Sequence, residues 1–353
     1  MKVFKYFILT LILYNLLYIN IYAEDINSTE DHIHIERDNS AKEYTILFGG
    51  DVYLSEYVLN KYNSHGIDGI LDKNIQNLFL NDDITMINQE FAFSQRGKKA
   101  PDKKYTFRVN PSYGKIFNEM NVDVVSLANN HTLDFGPIAL DDSFTTLNNL
   151  DIKYVGAGKN LDEAKAPVDF KINNKNIAML GATRVIPVYG WNATNKKSGV
   201  LTTYDPSKLV TEITKAKKKN KYVVAYIHWG VEKAERPERY QRDLAKKYID
   251  AGADLVVGSH PHVLQGIEYY KGKPIVYSLG NLIFYNSISQ TAILRVVINE
   301  NNETKIKILP CKAYNSKTTL ITNNVKKEKF YRYLQNISFD VEIDKDGNVR
   351  PKD

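Results

Sequence analysis

Two histidines flank a proline in the run Gly258, Ser259, His260, Pro261, His262, directly after the apolar stretch Leu255, Val256, Val257. An HxH pair on a turn can aim both imidazoles at one metal ion, or one at each of two neighbouring ions. Other apolar runs end in comparable chemistry. YTILFGGD ends in Asp51, DDITMINQE in Glu90, and YVVAYIHWG carries His228 beside Trp229. VDVVSLA delivers Asn129, Asn130, His131 and, three residues later, Asp134. Carboxylates, amide carbonyls and imidazoles all ligate hard or borderline divalent cations. His131, next to the amide ligand, could hold a proton for a leaving group, with Asp134 spaced to orient its ring through the other nitrogen. Collected, Asp51, Glu90, Asn130, His228, His260 and His262 suit a pair of divalent ions (Mn²⁺, Fe²⁺ or Zn²⁺), with activated water as nucleophile and His131 as general acid. Singly, each has a plainer account: an Asp caps a helix, a His lies on a surface turn, an Asn-Asn-His run is a polar loop. Their recurrence at the ends of successive apolar runs outweighs those accounts.

A site built this way needs parallel strands. Open α/β sheets present their chemistry at the carboxyl ends of strands, and strands buried on both faces read as unbroken apolar runs. Helical patterns lie between the runs. Ile67, Ile70, Leu71, Ile75 and Leu78 recur at helical spacing, and Ser112 is expected to cap a helix that buries Tyr113, Ile116, Phe117 and Met120. Further helices are expected from Pro137, through Leu209, Ile213 and Ala216, and from Pro237 to Ala251, the last stopping at Gly252. IKYVGAG and KPIVYSLGNLIF read as strands, VDFKI and NIAMLG as a hairpin across Asn173 and Asn174, and TAILRVVINENNETKIKILP as two strands around a polar turn. Residues 94–111, rich in basic side chains, read as a surface excursion near the site. Arg184, just past the NIAMLGAT run, could meet an anionic substrate; a surface salt bridge is its plainer account.

The 353 residues are 43% hydrophobic, ample for a large α/β core. A formal charge of +6 over 47 basic and 41 acidic residues is too even to argue for nucleic acid as a partner. The charge leaves an acidic polymer or an anionic envelope surface open as a partner. Cys311 is the sole cysteine, so no intrachain disulfide forms and any metal must be held by nitrogen and oxygen. Residues 1–23 combine a basic start, an apolar stretch from Phe7 to Ile21 and Ala23 before Glu24, as in a secretory signal or an uncleaved membrane anchor. Either places the rest outside the cytoplasm. Residues 24–43, with His32 and His34, read as a polar linker. Residues 44–285 form the main domain, and 286–353 add C-terminal strands and a polar, lysine-rich tail on the same domain.

The motifs NQE, SLANNHTLDFG, HWGVE, GADLVVGSHPHVLQG and YSLGNLIF, in that order between Tyr44 and Phe284, together resemble the CapA family of capsule and poly-γ-glutamate biosynthesis proteins. That family is a branch of the calcineurin-like metallophosphoesterase superfamily. The resemblance implies a four-layer α/β/β/α sandwich, an envelope location, and partners among membrane-bound capsule synthesis proteins. It places the superfamily's first Asp at Asp51, its bridging acid at Glu90, its Asn ligand at Asn130, its leaving-group His at His131 and its remaining ligands at His228, His260 and His262. The superfamily usually opens with Asp-x-His, where this chain has Tyr53, and usually bridges with Asp, where this chain has Glu90. Two functions follow as expectations. One is a metal-dependent hydrolase or transferase acting on an anionic polymer or phosphoester; the other is a non-catalytic component that binds and guides a polyanionic capsule chain.

Overall fold

A computed structural model describes residues 33–35, 43–219, 221–285 and 287–352. The expected signal at 1–23 lies outside the described residues. Two sheets dominate the rest. The first has seven strands in the order Ile33–Ile35, Val168–Ile172, Lys175–Thr183, Tyr222–His228, Leu255–Ser259, Lys273–Leu279, Leu264–Tyr270. Its inner members, from Lys175–Thr183 to Lys273–Leu279, are parallel. The second, ten-stranded sheet is centred on Glu43–Val52, with Ile84–Gln89, Val124–Ser126 and Lys153–Val155 parallel on one side. On its other side Ile288–Asn299 and Thr304–Tyr314 run antiparallel, as expected for two strands around a polar turn.

The side-chain period of two explains why the strand runs are apolar throughout. Phe48, Val124, Val224 and Tyr226 point between the sheets into one core, while their neighbours Leu47, Val125, Val223 and Ala225 point outward. On the second sheet's outer face Leu47 and Val125 meet the helices Glu56–His65, Lys73–Asn81, Lys115–Glu119 and Pro137–Asn149 through residues such as Val58, Phe79, Phe117 and Phe144. On the first sheet's outer face Val223, Ala225 and Ile227 meet helices Ser207–Lys218 and Arg239–Ala251 through Leu209, Ile213, Ala245 and Tyr248. The result is the four-layer α/β/β/α sandwich.

Several local expectations are corrected. The apolar positions from Ile67 to Leu78 do not share one helix: Gly66–Gly69 is a 3₁₀ turn, and Asp72 caps the helix Lys73–Asn81 by accepting the Ile75 N–H at 2.8 Å. Asn110, not Ser112, caps the next element, a 3₁₀ turn over Pro111–Gly114 that leads into Lys115–Glu119. IKYVGAG is split at Gly156, whose φ is +80°, into Lys153–Val155 and Ala157–Gly158. Within the stretch expected as a linker, Ile33–Ile35 pairs in parallel with Val168–Ile172 at a sheet edge. The lysine-rich tail is not a simple polar extension. Asn324–Ile337 is a helix whose Phe330, Tyr331, Leu334 and Ile337 close the inter-sheet core, followed by the strands Val341–Ile343 and Asn348–Pro351.

KPIVYSLGNLIF changes sheets in mid-run. Lys273–Leu279 belongs to the first sheet, and after Gly280 (φ +70°) Asn281–Ile283 pairs with the end of Glu43–Val52 in the second. The crossing requires close approach: Asp51 N–H donates to the Gly280 carbonyl at 2.9 Å, and a Cβ on Gly50 would lie 1.8 Å from that oxygen. Only glycine fits at position 50.

Candidate metal centre

The ends of the parallel strands from both sheets converge. Asp51 and Glu90 come from the second sheet and His228, His260 and His262 from the first, all buried except His262, which is slightly open. Two ligand groups result, Glu90 with His228 and His260, and Asp51 and Glu90 with His262, so Glu90 is common to both. Glu90 Oε1 lies 3.7 Å from His262 Nε2 and 3.8 Å from His228 Nε2. Such gaps are too long for hydrogen bonds. They match two ligands that each sit roughly 2.1 Å from a shared ion, which lie roughly 3–4 Å from one another. Asn130 Oδ1 is 2.7 Å from His228 Nε2, beside the first group.

Neighbouring amides and hydroxyls aim these ligands. Asn88 donates to Asp51 Oδ1 at 2.8 Å and is itself held by Asn129, which donates to Asn88 Oδ1 at 3.1 Å. Ser259 Oγ lies 3.1 Å from His228 Nδ1, and Asn281 Oδ1 lies 2.7 Å from His262 Nδ1. Each contact leaves the ring's Nε2 facing Glu90. His260 holds φ +102°, a backbone state L-residues rarely adopt, with its N–H on Asp51 Oδ2 at 3.3 Å.

The donor set fits a cation. Both oxygens of Glu90 and Nδ1 of His260 are buried without a hydrogen-bond partner, and a buried carboxylate left so is costly unless a positive charge sits against it. Burial pushes the Glu90 carboxyl well up, with His262 opposing and Asp51 reinforcing. Burial, then the neighbouring imidazoles, pushes His228 well down and His260 down to about 3, keeping both rings neutral, the state in which an imidazole can ligate. Burial also pulls on His262, but Glu90, Asp51 and Asn281 outweigh it and lift the ring to about 10. The negative potential that holds a proton on His262 is the potential that would draw a divalent cation.

The family model for the bacterial capsule synthesis protein PGA_cap matches residues 45–286. The chain belongs to that family. It is 33% identical over 287 residues to the PGA biosynthesis protein CapA of Bacillus subtilis (strain 168), covering 80% of this chain and 75% of that one. It is 31% identical over 303 residues to the capsule biosynthesis protein CapA of Bacillus anthracis, covering 83% and 73%. A probable polyglutamine synthesis accessory protein of Mycobacterium tuberculosis is 28% identical over 211 residues, 57% of this chain and 55% of its own. Among solved structures, a 5′-nucleotidase from Candida albicans SC5314 aligns over 88% of this chain and 56% of its own at TM-score 0.42 and 10% identity, a similarity too loose to carry an argument.

In this PGA_cap member His131 stands on the open side of Glu90, Nε2 to Oε1 3.9 Å, and its Nδ1 meets Asp134 Oδ2 at 2.6 Å. The excursion 94–111 is strapped across this pair: Ala92–Phe93 pairs with Arg108–Val109, and Ala100 N–H donates to the Asp134 carbonyl at 2.8 Å. From it Lys103 donates to Asp134 Oδ1 and to the Asn130 carbonyl, and its ammonium lies 3.0 Å from His131 Nδ1. Phe107 stacks on the His131 ring at 4.0 Å between centroids, and Tyr53 stacks on Phe107 at the same distance. Tyr53 thus supports the ring that covers His131.

The eight residues named for the metal and proton roles, Asp51, Glu90, Asn130, His131, Asp134, His228, His260 and His262, lie in this one place. Lys103, Phe107, Asn88 and Asn281 were missed. Asn88 and Asn281 did leave a signal, as amides inside the NQE and YSLGNLIF motifs. Lys103 left none beyond its membership of a basic stretch.

Proposed function

We propose that this chain is an envelope accessory protein of capsule or poly-γ-glutamate type polymer synthesis, working as a metal-dependent hydrolase or transferase on an anionic polymer or phosphoester. Family membership and the two Bacillus relatives support the role in polymer synthesis. The single observation supporting the chemistry is Glu90, a buried carboxylate without hydrogen-bond partners that two ligand groups share. Asp51, Glu90, Asn130, His228, His260 and His262 would hold two divalent ions. Those ions would polarise the scissile group and ease deprotonation of water near neutral pH. With Nδ1–H turned to Asp134, His131 would need a second proton at Nε2 to pass one to a departing oxygen or nitrogen; burial lowers the ring's pKa and the Asp134 contact opposes that. Lys103 balances the Asp134 charge, and Phe107 keeps bulk water from the imidazole face. Membrane-bound synthesis proteins are the partners that suit this role. Among the described residues no helix is long and apolar enough to cross a membrane. By its basic start and apolar stretch, the segment 1–23 would supply export or anchoring.

The test is the metal content of the purified full chain against His228→Ala and His262→Ala, with hydrolysis of phosphodiesters and γ-glutamyl amides by the same samples. Two equivalents of metal, reduced in each variant, with hydrolysis lost in His131→Ala, is the expected result. Failure to take up Mn²⁺, Fe²⁺ or Zn²⁺ under anaerobic supply would refute it. The non-catalytic reading is favoured by one feature, Tyr53 in place of a ligand, and predicts that His131→Ala leaves polymer output intact.

A further inference from the structure

Arg184 belongs to neither ligand group nor to the strap. It follows Thr183, whose register partner in the next strand is His228, and its N–H donates to the His228 carbonyl at 2.8 Å. Its guanidinium lies against two rings, 4.6 Å from the Tyr204 centroid and 5.3 Å from that of Tyr240, and Nη1 donates to the Thr203 carbonyl at 2.8 Å. An arginine is almost never fully buried unless paired, and Arg184 is half-buried. Among the described residues no ion pair reaches Arg184, whose guanidinium meets that carbonyl and those two rings and acts electrostatically on the Tyr248 hydroxyl.

A chain of contacts links the guanidinium to the metal centre. Tyr240 Oη accepts the Gly230 N–H at 2.8 Å. A Cβ on Gly230 would lie 3.1 Å from Cγ of Pro261, the proline between His260 and His262. One ring and one glycine therefore separate the guanidinium from the HPH turn.

We propose that Arg184 anchors the substrate chain, its guanidinium fork binding a free carboxylate on a unit next to the one held at the metal centre. This deepens the polymer reading given above and rests on it. The two tyrosine rings hold the fork in place before any ligand arrives, and among the described residues only Nη1 is hydrogen-bonded, which leaves the other N–H groups for a planar carboxylate. Tyr204 is 54% exposed, which leaves that edge open to solvent. A polymer with a carboxylate on every unit meets such a fork at whichever unit the reacting bond dictates.

The experiment measures binding, not turnover, on the full chain in EDTA, so that hydrolysis plays no part. A γ-linked oligoglutamate and the counterpart with each free carboxylate as an amide are titrated into wild type, Arg184→Gln and Arg184→Lys. Loss of a charge-assisted fork weakens oligoglutamate by about tenfold or more in Arg184→Gln and by less in Arg184→Lys, with the amide chain unaffected. Should Arg184→Gln unfold, Arg184→Lys carries the comparison, since it keeps the stem and charge and lacks only the fork. Equal binding by wild type and folded variants, no binding by wild type, or parallel loss for both chains would overturn the proposal; the last is what a staple between Tyr204 and Tyr240 would give. Failure of the hydrolase reading appears elsewhere, in metal content and hydrolysis by the wild type, and leaves this comparison readable.

Discussion

Lys103 and Asp134 form an ion pair whose carboxylate is wholly enclosed and whose ammonium is 10% exposed. Lys103→Met keeps an unbranched apolar stem and removes the charge. Asp134 would retain two donors, Phe107 N–H and His131 Nδ1–H, both at 2.6 Å and both on Oδ2, while Oδ1 would lose Lys103, its one donor among the described residues. Removing one partner of a buried pair costs about 3–5 kcal/mol, and with Oδ2 still satisfied the lower end applies, about 3 kcal/mol. Asp134→Asn leaves the ammonium against a neutral amide and should cost about 2–3 kcal/mol. If the two act as a unit, the second change adds little to the first, and a double-mutant cycle returns a coupling of about 2 kcal/mol. Urea unfolding of the metal-free full chain, for wild type, both single variants and the double, measures all four corners. Costs that add to within about 0.5 kcal/mol would show that the strap and the His131 loop are not joined through this pair. Metal content should not fall in Lys103→Met, because Lys103 touches Asn130 through its backbone carbonyl and its charge near Glu90 and His228 opposes a cation.

Glu90→Gln removes the shared carboxylate and its desolvation cost, so it should raise the melting temperature of the chain in EDTA. Added Mn²⁺ should stabilise the wild type, by about 2.7 kcal/mol at a hundredfold excess over Kd, and leave the variant unmoved; thermal scans with and without metal decide this. Gly50→Ala would set a Cβ 1.8 Å from the Gly280 oxygen; the expected loss exceeds about 3 kcal/mol, read as denatured or insoluble protein, against a near-neutral outcome if the crossing can shift. Leu334→Ala should cost about 2–5 kcal/mol in urea unfolding, because Leu334 is 2% exposed within the inter-sheet core. A loosely docked polar tail would lose almost nothing.

What was legible in the sequence follows from where the information is stored. A strand buried on both faces announces itself by an unbroken apolar run, and a ligand at its carboxyl end is adjacent to that run in the chain, so Asp51, Glu90, His228 and His260 could be read locally. Contacts between distant segments could not. Lys103 meets Asp134 31 residues on, and His262 meets Asn281 19 residues on. The false helix from Ile67 to Leu78 came from honouring apolar spacing over punctuation: Gly66, Gly69 and the cap Asp72 all fall inside or beside it. The tail shows the reverse error. Phe330, Tyr331, Leu334 and Ile337 are spaced for one helical face, but the lysines and arginine that mark the opposite face dominated the composition.

The chain's division into two sheets has a consequence for the site that no single motif carries. Each ligand group draws from both sheets, Glu90 with His228 and His260, and Asp51 and Glu90 with His262. Neither sheet alone could hold an ion at either place, so the distance between ligands is set by the core packed between the sheets. Directly beneath the site that spacing is fixed by Tyr226, two residues before His228. Its ring stacks on Phe48 at 6.5 Å, and its hydroxyl crosses to the Gly49 carbonyl at 3.2 Å, two residues before Asp51. Gly280 ties the sheets a second time, passing the chain from one to the other and accepting the Asp51 N–H on the way. These two ties flank the ligands of both groups. A metal centre assembled across two layers therefore depends on inter-sheet packing more steeply than on any one strand, and its ligands hold their spacing only while both ties are closed.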